Sequence, residues 1–392
     1  MSGDRIASVD TFLVDSSGQK RFVFVKLTSE EGVEGWGECY TAPNREQAID
    51  ILAGELGGYL IGRDVFSIKH FTTVAFLDVA TKRGSMEFFC ALSGLEAAMW
   101  DIVGKTVGQP VYNLLGGRCR DRVRVYANGW SYGANGEVDE SIEATVAHAT
   151  ALVAAGFDAL KFDPFPGRWR MRLERRDEQR ALDCVRAVRD AVGFEVDLLI
   201  EGHRRFSRTS GKRLAQLLED VDPFWFEEPV PSSALDDLAE IAAATSIPIV
   251  TGEDLYTKQA FREVFAKRAA GIVNPDVANC GGVLELVEIA AMAAANGQVA
   301  VAPHNYNSPG LALAATLQAT AVMPNFLITE YFVNFAARTA EFIVNPLTPK
   351  DGYIELPTTP GLGVEVDEEA LREHVVSGPA TPRLVPIAGE ER

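Results

Sequence analysis

The chain has 392 residues, 47% hydrophobic and 23% charged, which suits a sizeable apolar core and argues against disorder. Its 37 basic and 55 acidic residues leave a net charge of −18, which argues against a nucleic acid or an anionic membrane as partner. Five scattered cysteines (Cys39, Cys90, Cys119, Cys184, Cys280) show no metal-ligand spacing and fit reduced thiols in a cytoplasm; no apolar run approaches membrane-spanning or secretory-signal character.

Residues 5–40 are expected to be β-rich. Residues 6–14 and 22–27 read as strands joined by Ser16-Ser17-Gly18, and Gly32-Val33-Glu34-Gly35-Trp36-Gly37-Glu38 reads as a closing hairpin. From 44 to 108 the pattern is helical. Leu92, Leu95, Met99, Ile102 and Val103 recur at helical spacing, with Gly104 and Gly108-Gln109-Pro110 expected to end that segment. Strands followed by helices predict a separate α+β domain over residues 1–120, bounded near Leu114-Leu115-Gly116-Gly117.

The chain then alternates. Strands are expected at 123–127, 159–162, 196–200, 224–226, 247–250, 271–274, 299–302 and 326–329, with amphipathic or Ala-rich helices between them. Eight β/α units in series predict an α/β fold of the (β/α)8, TIM-barrel type over residues 121–334, with its active site at the C-terminal strand ends. An open doubly wound sheet is disfavoured, since no Gly-rich phosphate fingerprint appears. Residues 335–392 are less regular, with a turn and short strand at Pro360-Gly361-Leu362-Gly363-Val364-Glu365-Val366, and are expected to pack back on the first domain.

Three of these strands share one design. Leu198-Leu199-Ile200-Glu201, Trp225-Phe226-Glu227 and Ile249-Val250-Thr251-Gly252-Glu253 are apolar runs ending in a carboxylate, and 26 residues separate each glutamate from the next. That period fits a strand, a helix and two short loops, so the carboxylates should converge at neighbouring strand ends. Converging anions repel unless a cation sits between them, and oxygen ligands without Cys or His favour Mg²⁺ over zinc or copper.

The remaining strand ends carry Lys161-Phe162-Asp163, His203-Arg204-Arg205, Glu228-Pro229, Asp254, Asn274-Pro275-Asp276, His304-Asn305 and Glu330. Alternation places Lys161 with Asp163 and Glu201 with His203, and turns Glu228 away from the mouth. Asp276 and His304 end adjacent strands, and an aspartate accepting from one imidazole nitrogen fixes the tautomer and raises the basicity of the other. His304 is therefore a catalytic candidate. So is His203, in a turn whose Arg204 and Arg205 also suit a plain anion-facing role, and Lys161 suits proton transfer or a substrate carboxylate. A proton beside a carboxylate becomes removable when a divalent ion stabilises the developing charge and a His or Lys accepts it; elimination or reprotonation then follows.

These residues resemble the enolase superfamily in its mandelate racemase-like branch, nearly end to end. The resemblance is carried by Gly35-Trp36-Gly37-Glu38, the 91–101 helix, Leu114-Leu115-Gly116-Gly117, the three glutamates, Asp276 with His304, Glu330 and Pro360-Gly361-Leu362-Gly363. It implies a capping domain formed by residues 1–120 and the tail, substrate-facing loops near 15–21 and 42–45, Mg²⁺ on Glu201, Glu227 and Glu253, and a homo-oligomer. Tyr126-Ala127-Asn128-Gly129-Trp130, Lys161-Phe162-Asp163-Pro164-Phe165 and Glu201-Gly202-His203 look most like acid-sugar dehydratases of the gluconate and galactonate type. That likeness implies a lyase that removes the proton α to a metal-bound carboxylate and eliminates the β-hydroxyl, giving a 2-keto-3-deoxy sugar acid. His203 and the His304–Asp276 pair would share the proton transfers, with Glu330, Asp163, Arg205, Asn128 and Trp130 facing a small sugar-acid substrate.

Racemases of the family place a second lysine where this chain has Asp163. A racemase, epimerase or cycloisomerase on the same scaffold, or a sugar-acid-binding homologue without turnover, remain the alternatives. The chain departs from its relatives in three places: Arg204 stands where they usually have Gly, Asp254 where they usually have Arg, and Pro166-Gly167-Arg168-Trp169-Arg170 is bulky and basic.

Overall fold

The structure, a computed structural model, describes residues 3–15, 21–80, 84–131, 141–165, 173–306, 308 and 310–376. Strands β1 (Ile6–Asp15), β2 (Arg21–Ser29) and β3 (Glu34–Cys39) form an antiparallel sheet in that order. Alternation along β2 decides what each side chain meets. Val23, Val25 and Leu27 join Leu92, Leu95, Met99 and Ile102 of the helix Met86–Val107 in one core. Phe22 and Phe24 turn to the other face and meet the ring of Phe342 at 6.4 and 5.5 Å between centroids. The sheet is covered on both sides, as the nearly unbroken apolar run of β2 requires.

The long helix starts at Ser85, whose Oγ accepts from the Phe88 N–H at 3.3 Å, and stops at Gly108, φ 66°. Gly104, expected to help end it, stays inside it. A Cβ there would lie 2.7 Å from the Cα of Gly361, so this glycine admits the tail instead of breaking the helix.

The barrel strands are β4 (Arg122–Asn128), β5 (Ala159–Phe162), β6 (Asp197–Glu201), β7 (Trp225–Glu227), β8 (Ile249–Thr251), β9 (Ile272–Val273), β10 (Ala300–Val301) and β11 (Thr329–Phe332). They pair in parallel in the order β10-β9-β8-β7-β6-β5-β4-β11. The eighth differs from expectation. Its ladder with β4 begins at Thr329, while Phe326 makes a lone parallel bridge to Val301 of β10. The segment divides its pairing between two neighbours, first one and then the other, and so joins the two ends of the curled sheet.

The tail returns to both parts. β12 (Tyr353–Glu355) runs antiparallel to the start of β4. Further on, Val375 bridges Val14, the Val376 N–H donates to Leu13 O at 2.9 Å, and Glu368 pairs with Lys26 at 2.7 Å. No helix among the described residues is long and apolar enough to cross a membrane. All five cysteines are free thiols, four of them buried.

Candidate active site

One side chain from each strand or its edge fills the barrel interior: Tyr126, Ala159, Leu199, Trp225, Val250, Ile272, Ala302 and Ile328 form a cluster separate from the helix-facing core. Because side chains alternate, the residues two further on face the same axis one layer higher, toward the C-terminal strand ends. They are Asn128, Lys161, Glu201, Glu227, Gly252, Asn274, His304 and Glu330. An apolar floor thus carries a ring in which every position except Gly252 is polar or charged.

Glu201 and Glu227 face each other across paired strands. Glu253 lies three residues past the floor residue Val250, where strict alternation would point it to the helices. Gly252, φ 145°, redirects the chain and returns Glu253 to the axis. One oxygen from each of the three buried glutamates lies within 4.8 Å of the others, near enough for small side-chain rotations to bring them onto a shared ion. A Cβ at Gly252 would meet the Phe261 ring at 2.8 Å and impose a backbone angle that L-residues avoid. Gly252→Ala is expected to destabilise the protein by about 2–4 kcal/mol and to weaken divalent-ion binding, read together by thermal unfolding with and without Mg²⁺.

The charges fit a cation at this place. Lys161 Nζ lies 2.6 Å from Glu227 Oε1, 3.1 Å from Glu201 Oε2 and 3.4 Å from Glu330 Oε1. Burial opposes its charge, but Glu227 and Glu330 outweigh that and hold the ammonium well above its ordinary pKa. Lys161 does not satisfy the group: burial and the neighbouring Glu201 still push the Glu227 carboxyl up to about 8, and buried Glu201 Oε2 makes no hydrogen bond. Asn274 Nδ2 and Trp225 Nε1 donate to Glu227 at 2.7 and 3.0 Å, fixing its orientation. The donor set is three carboxylate oxygens, as hard cations such as Mg²⁺ prefer.

His304 stands beside this trio, buried. Its Nδ1 is 2.9 Å from Asp276 Oδ2, and its Nε2 faces Glu253 Oε2 at 3.2 Å and Glu330 Oε2 at 3.3 Å. Asp276 is itself held by the N–H groups of Ala278 at 2.8 Å and Tyr306 at 3.2 Å. Burial works against the imidazolium, but Glu330, Glu253 and Asp276 outweigh it and raise His304 to about 10. Glu330 accepts from Asn128 Nδ2 at 2.7 Å and from the Asn305 N–H at 3.0 Å, while Lys161 and His304 hold its carboxyl below the usual range against burial. Tyr306 stacks nearly parallel to His304 with ring centroids 6.2 Å apart, and Tyr40, at the end of β3, stacks on Tyr306 at 5.3 Å.

The loop after β6 rides on the one after β7: the Gly202 N–H donates to Glu227 O at 2.8 Å and the Arg204 N–H to Glu228 O at 2.7 Å. His203 (φ 47°) and Arg204 (φ 63°) are both left-handed, a strained pair that these bonds maintain. The turn brings His203 Nδ1 to 2.7 Å from Asp163 Oδ2, and its backbone N–H donates to Glu201 Oε1 at 2.7 Å. Asp163 also pairs with Arg205, whose Nη1 donates to Phe165 O at 2.7 Å, and its Oδ1 accepts from the Phe165 N–H at 2.9 Å. The site therefore holds a second histidine–aspartate pair.

The two charge departures meet. Arg204 lies 2.8 Å from Glu253 Oε1, 3.0 Å from Glu228 Oε2 and 3.3 Å from Asp254 Oδ2. Burial opposes ionisation of Glu253, yet Arg204 and His304 outweigh it and hold the carboxyl low. Glu228 points away from the trio, as alternation requires, and accepts from Thr251 Oγ1 at 3.0 Å. Trp130 packs on Phe162 with ring centroids 5.3 Å apart, in the helix-side core. In the two loops expected to face substrate, Arg21 pairs with Asp15 at 3.5 Å and Arg45 with Glu87 at 3.5 Å; residues 16–20 and the basic segment 166–170 lie outside the described residues. Sequence named Asn274 at a strand end without giving it a role, and did not name Tyr40. Counting two residues on from Ile272 finds Asn274, whereas no local pattern announces Tyr40. A cavity of about 1030 Å³ opens at the opposite end of the barrel, around Phe224, Ile247, Ile272 and Leu327, and none of the three glutamates lines it.

Comparison with known proteins agrees with this architecture. Residues 144–370 match the family described as enolase C-terminal domain-like, and residues 9–116 match the N-terminal domain of mandelate racemase / muconate lactonizing enzyme. The chain is 35% identical over 362 residues to a D-galactonate dehydratase of Xanthomonas euvesicatoria pv. vesicatoria (strain 85-10), covering 90% of each protein. Among solved structures, it is 35% identical to a mandelate racemase/muconate lactonizing enzyme-like protein from Rubrobacter xylanophilus DSM 9941, with a TM-score of 0.88 over 97% of this chain and 99% of that one. A like-named protein from Roseovarius sp. TM1035 gives a TM-score of 0.90 at 32% identity, covering 98% and 99%. The chain belongs to the mandelate racemase/muconate lactonizing enzyme family of the enolase superfamily, with that family's barrel beneath a capping domain.

Proposed function

We propose that the protein is a Mg²⁺-dependent sugar-acid dehydratase, a carbon–oxygen lyase acting on D-galactonate or a close relative. The observation that carries this reading is the trio Glu201, Glu227 and Glu253 within 4.8 Å of one another, with a histidine–aspartate pair on each side. The resemblance to D-galactonate dehydratases directs the choice of substrate class. The three glutamates would hold the ion. A divalent ion bound there supplies positive charge that offsets these anions and neutralises a substrate carboxylate, which lowers the cost of removing the adjacent proton.

The chain's own groups do the proton transfers. Asp276 binds Nδ1 of His304 and so directs Nε2 toward the site, and Asp163 binds Nδ1 of His203, which leaves the proton-transfer role there to Nε2. One imidazole takes the proton from the α-carbon, and the other protonates the departing β-hydroxyl, which leaves as water. The enol that remains tautomerises to a 2-keto-3-deoxy acid. Lys161, charged and shared among three carboxylates, acts as a fixed counter-ion and a partner for a substrate carboxylate rather than as a base, which supports dehydration over lysine-based racemisation. Asn128 and Glu330 line the polar layer, and Arg205 braces Asp163.

With Mg²⁺, the purified protein is expected to form a semicarbazide-trapped keto acid from D-galactonate or another member of a panel of aldonic and aldaric acids. EDTA is expected to stop the reaction and added Mg²⁺ to restore it. Deuterium entering the α-position from solvent without keto acid would replace this reading with a racemase or epimerase. Tight binding without exchange would replace it with a sugar-acid-binding protein.

A further inference from the structure

We infer that Glu38 and Glu96 are positioning residues: from the capping domain they supply the N-caps of two barrel helices and thereby hold the loops that carry Asp276 and His304. The helix Val283–Ala295 follows the Asp276 loop, and the helix Leu311–Ala321 follows the His304 loop. Each begins after a glycine, Gly282 or Gly310, and neither has a side-chain cap of its own. The first N–H groups of a helix need acceptors, and buried ones left unpaired are costly.

The acceptors come from the cap. Glu96, fully buried on the helix Met86–Val107, accepts from Val283 N–H at 2.7 Å and Leu284 N–H at 3.0 Å. Trp100 Nε1 fixes its carboxylate at 2.8 Å, and Ser93, one turn earlier, accepts from the Gly281 N–H at 2.9 Å. The fit depends on Gly282, because a Cβ there would lie 2.2 Å from Glu96 Oε2. Glu38 on β3 accepts from the Ala312 N–H at 3.0 Å and from the Ser308 hydroxyl. Two residues after Glu38, just past the end of β3, the Tyr40 N–H donates to Ala278 O at 3.1 Å.

These ties grip the chain close to the reacting pair. Ala278, whose carbonyl Tyr40 holds, gives its own N–H to Asp276, and Ser308 lies four residues after His304. Asp276 and His304 themselves meet through a parallel backbone bridge. A shift of either loop moves one member of the 2.9 Å Nδ1–Oδ2 contact relative to the other. The cap therefore does more than cover the mouth: its docking sets the alignment of the pair.

The catalytic arm of the test rests on the dehydratase reading, and the exchange arm does not. Hydrogen exchange read by mass spectrometry on full-length Glu96→Ala is expected to rise at 278–284, and on Glu38→Ala at 308–312, with other barrel segments unchanged. Turnover in each is expected to fall about tenfold or more with KM changed less than twofold, since misalignment of a reacting group acts on kcat. Glu96→Gln keeps one acceptor oxygen and is expected to fall between. Ile49→Val, which trims the cap core away from these contacts, serves as the stability control and is expected to leave kcat alone. Unchanged local exchange in both alanine variants, or a kcat loss matched by Ile49→Val, would overturn the inference. If no substrate turns over, the dehydratase reading fails separately and local exchange alone decides this one.

Discussion

Glu227→Gln is expected to abolish turnover while leaving a folded protein. Glu227 is fully buried, opposite Glu201 across β6 and β7, and receives Lys161, Asn274 and Trp225 at 2.6, 2.7 and 3.0 Å. Glutamine has the same shape but carries no charge: its carbonyl oxygen can keep Lys161 and Asn274, its amide meets the Trp225 Nε1 donor without a hydrogen bond, and it contributes no anion to the trio. Burial and Glu201 already strain the ionised form, which makes its neutral replacement tolerable to the fold. The charge stabilisation lost with the ion amounts to several kcal/mol, so kcat/KM should drop by about 10³–10⁴. The check has two parts: keto-acid formation, and the rise in Tm that Mg²⁺ confers on the unsubstituted protein, which should vanish in Glu227→Gln. A variant that keeps both would remove Glu227 from the metal site.

His304→Asn should lower keto-acid formation by about 10²–10⁴, the range for loss of a positioned proton-transfer group. Asparagine can still reach Asp276 but offers no titratable nitrogen to the site. Mg²⁺ binding should survive, because Glu201, Glu227 and Glu253 stay in place. Running His203→Asn beside it divides the roles. The variant that still exchanges the α-hydrogen with deuterated solvent but forms no keto acid has lost the acid; the variant that loses both has lost the base. Full activity in His304→Asn would exclude the His304–Asp276 pair from the reaction.

The convergence of the three glutamates was legible because strand length and loop length are nearly constant in a repeated β/α unit, and the 26-residue spacing reports that constancy. The polar ring was legible for a related reason. Once the apolar floor is found, the pleat fixes which residues stand above it. Pleating fails where strands end. Glu253 reaches the axis only through the turn at Gly252, and Asp163 lies just past the end of β5, so its partner is set by the left-handed turn at His203. Sequence places Asp163 at the mouth but does not say that His203 and Arg205 engage it.

Contacts between distant segments were the least legible. Gly282 and Gly310 mark helix starts without local caps, a gap visible in the sequence, but the carboxylates that fill it come from residues 187 and 274 positions away from the amides they accept from. Gly104 was misread for the same reason: its role is the approach of Gly361, far along the chain. The eighth strand begins late because closing a ring makes one segment serve two neighbours, a demand that no single stretch of sequence expresses.

The most direct measurement is anomalous diffraction from crystals grown with Mn²⁺ in place of Mg²⁺. One anomalous peak per chain is expected, in contact with one carboxylate oxygen from each of Glu201, Glu227 and Glu253, and absent from Glu227→Gln crystals. A peak elsewhere, or none at saturating Mn²⁺ with the three carboxylates still facing one another, would contradict the assignment of these residues as a metal site.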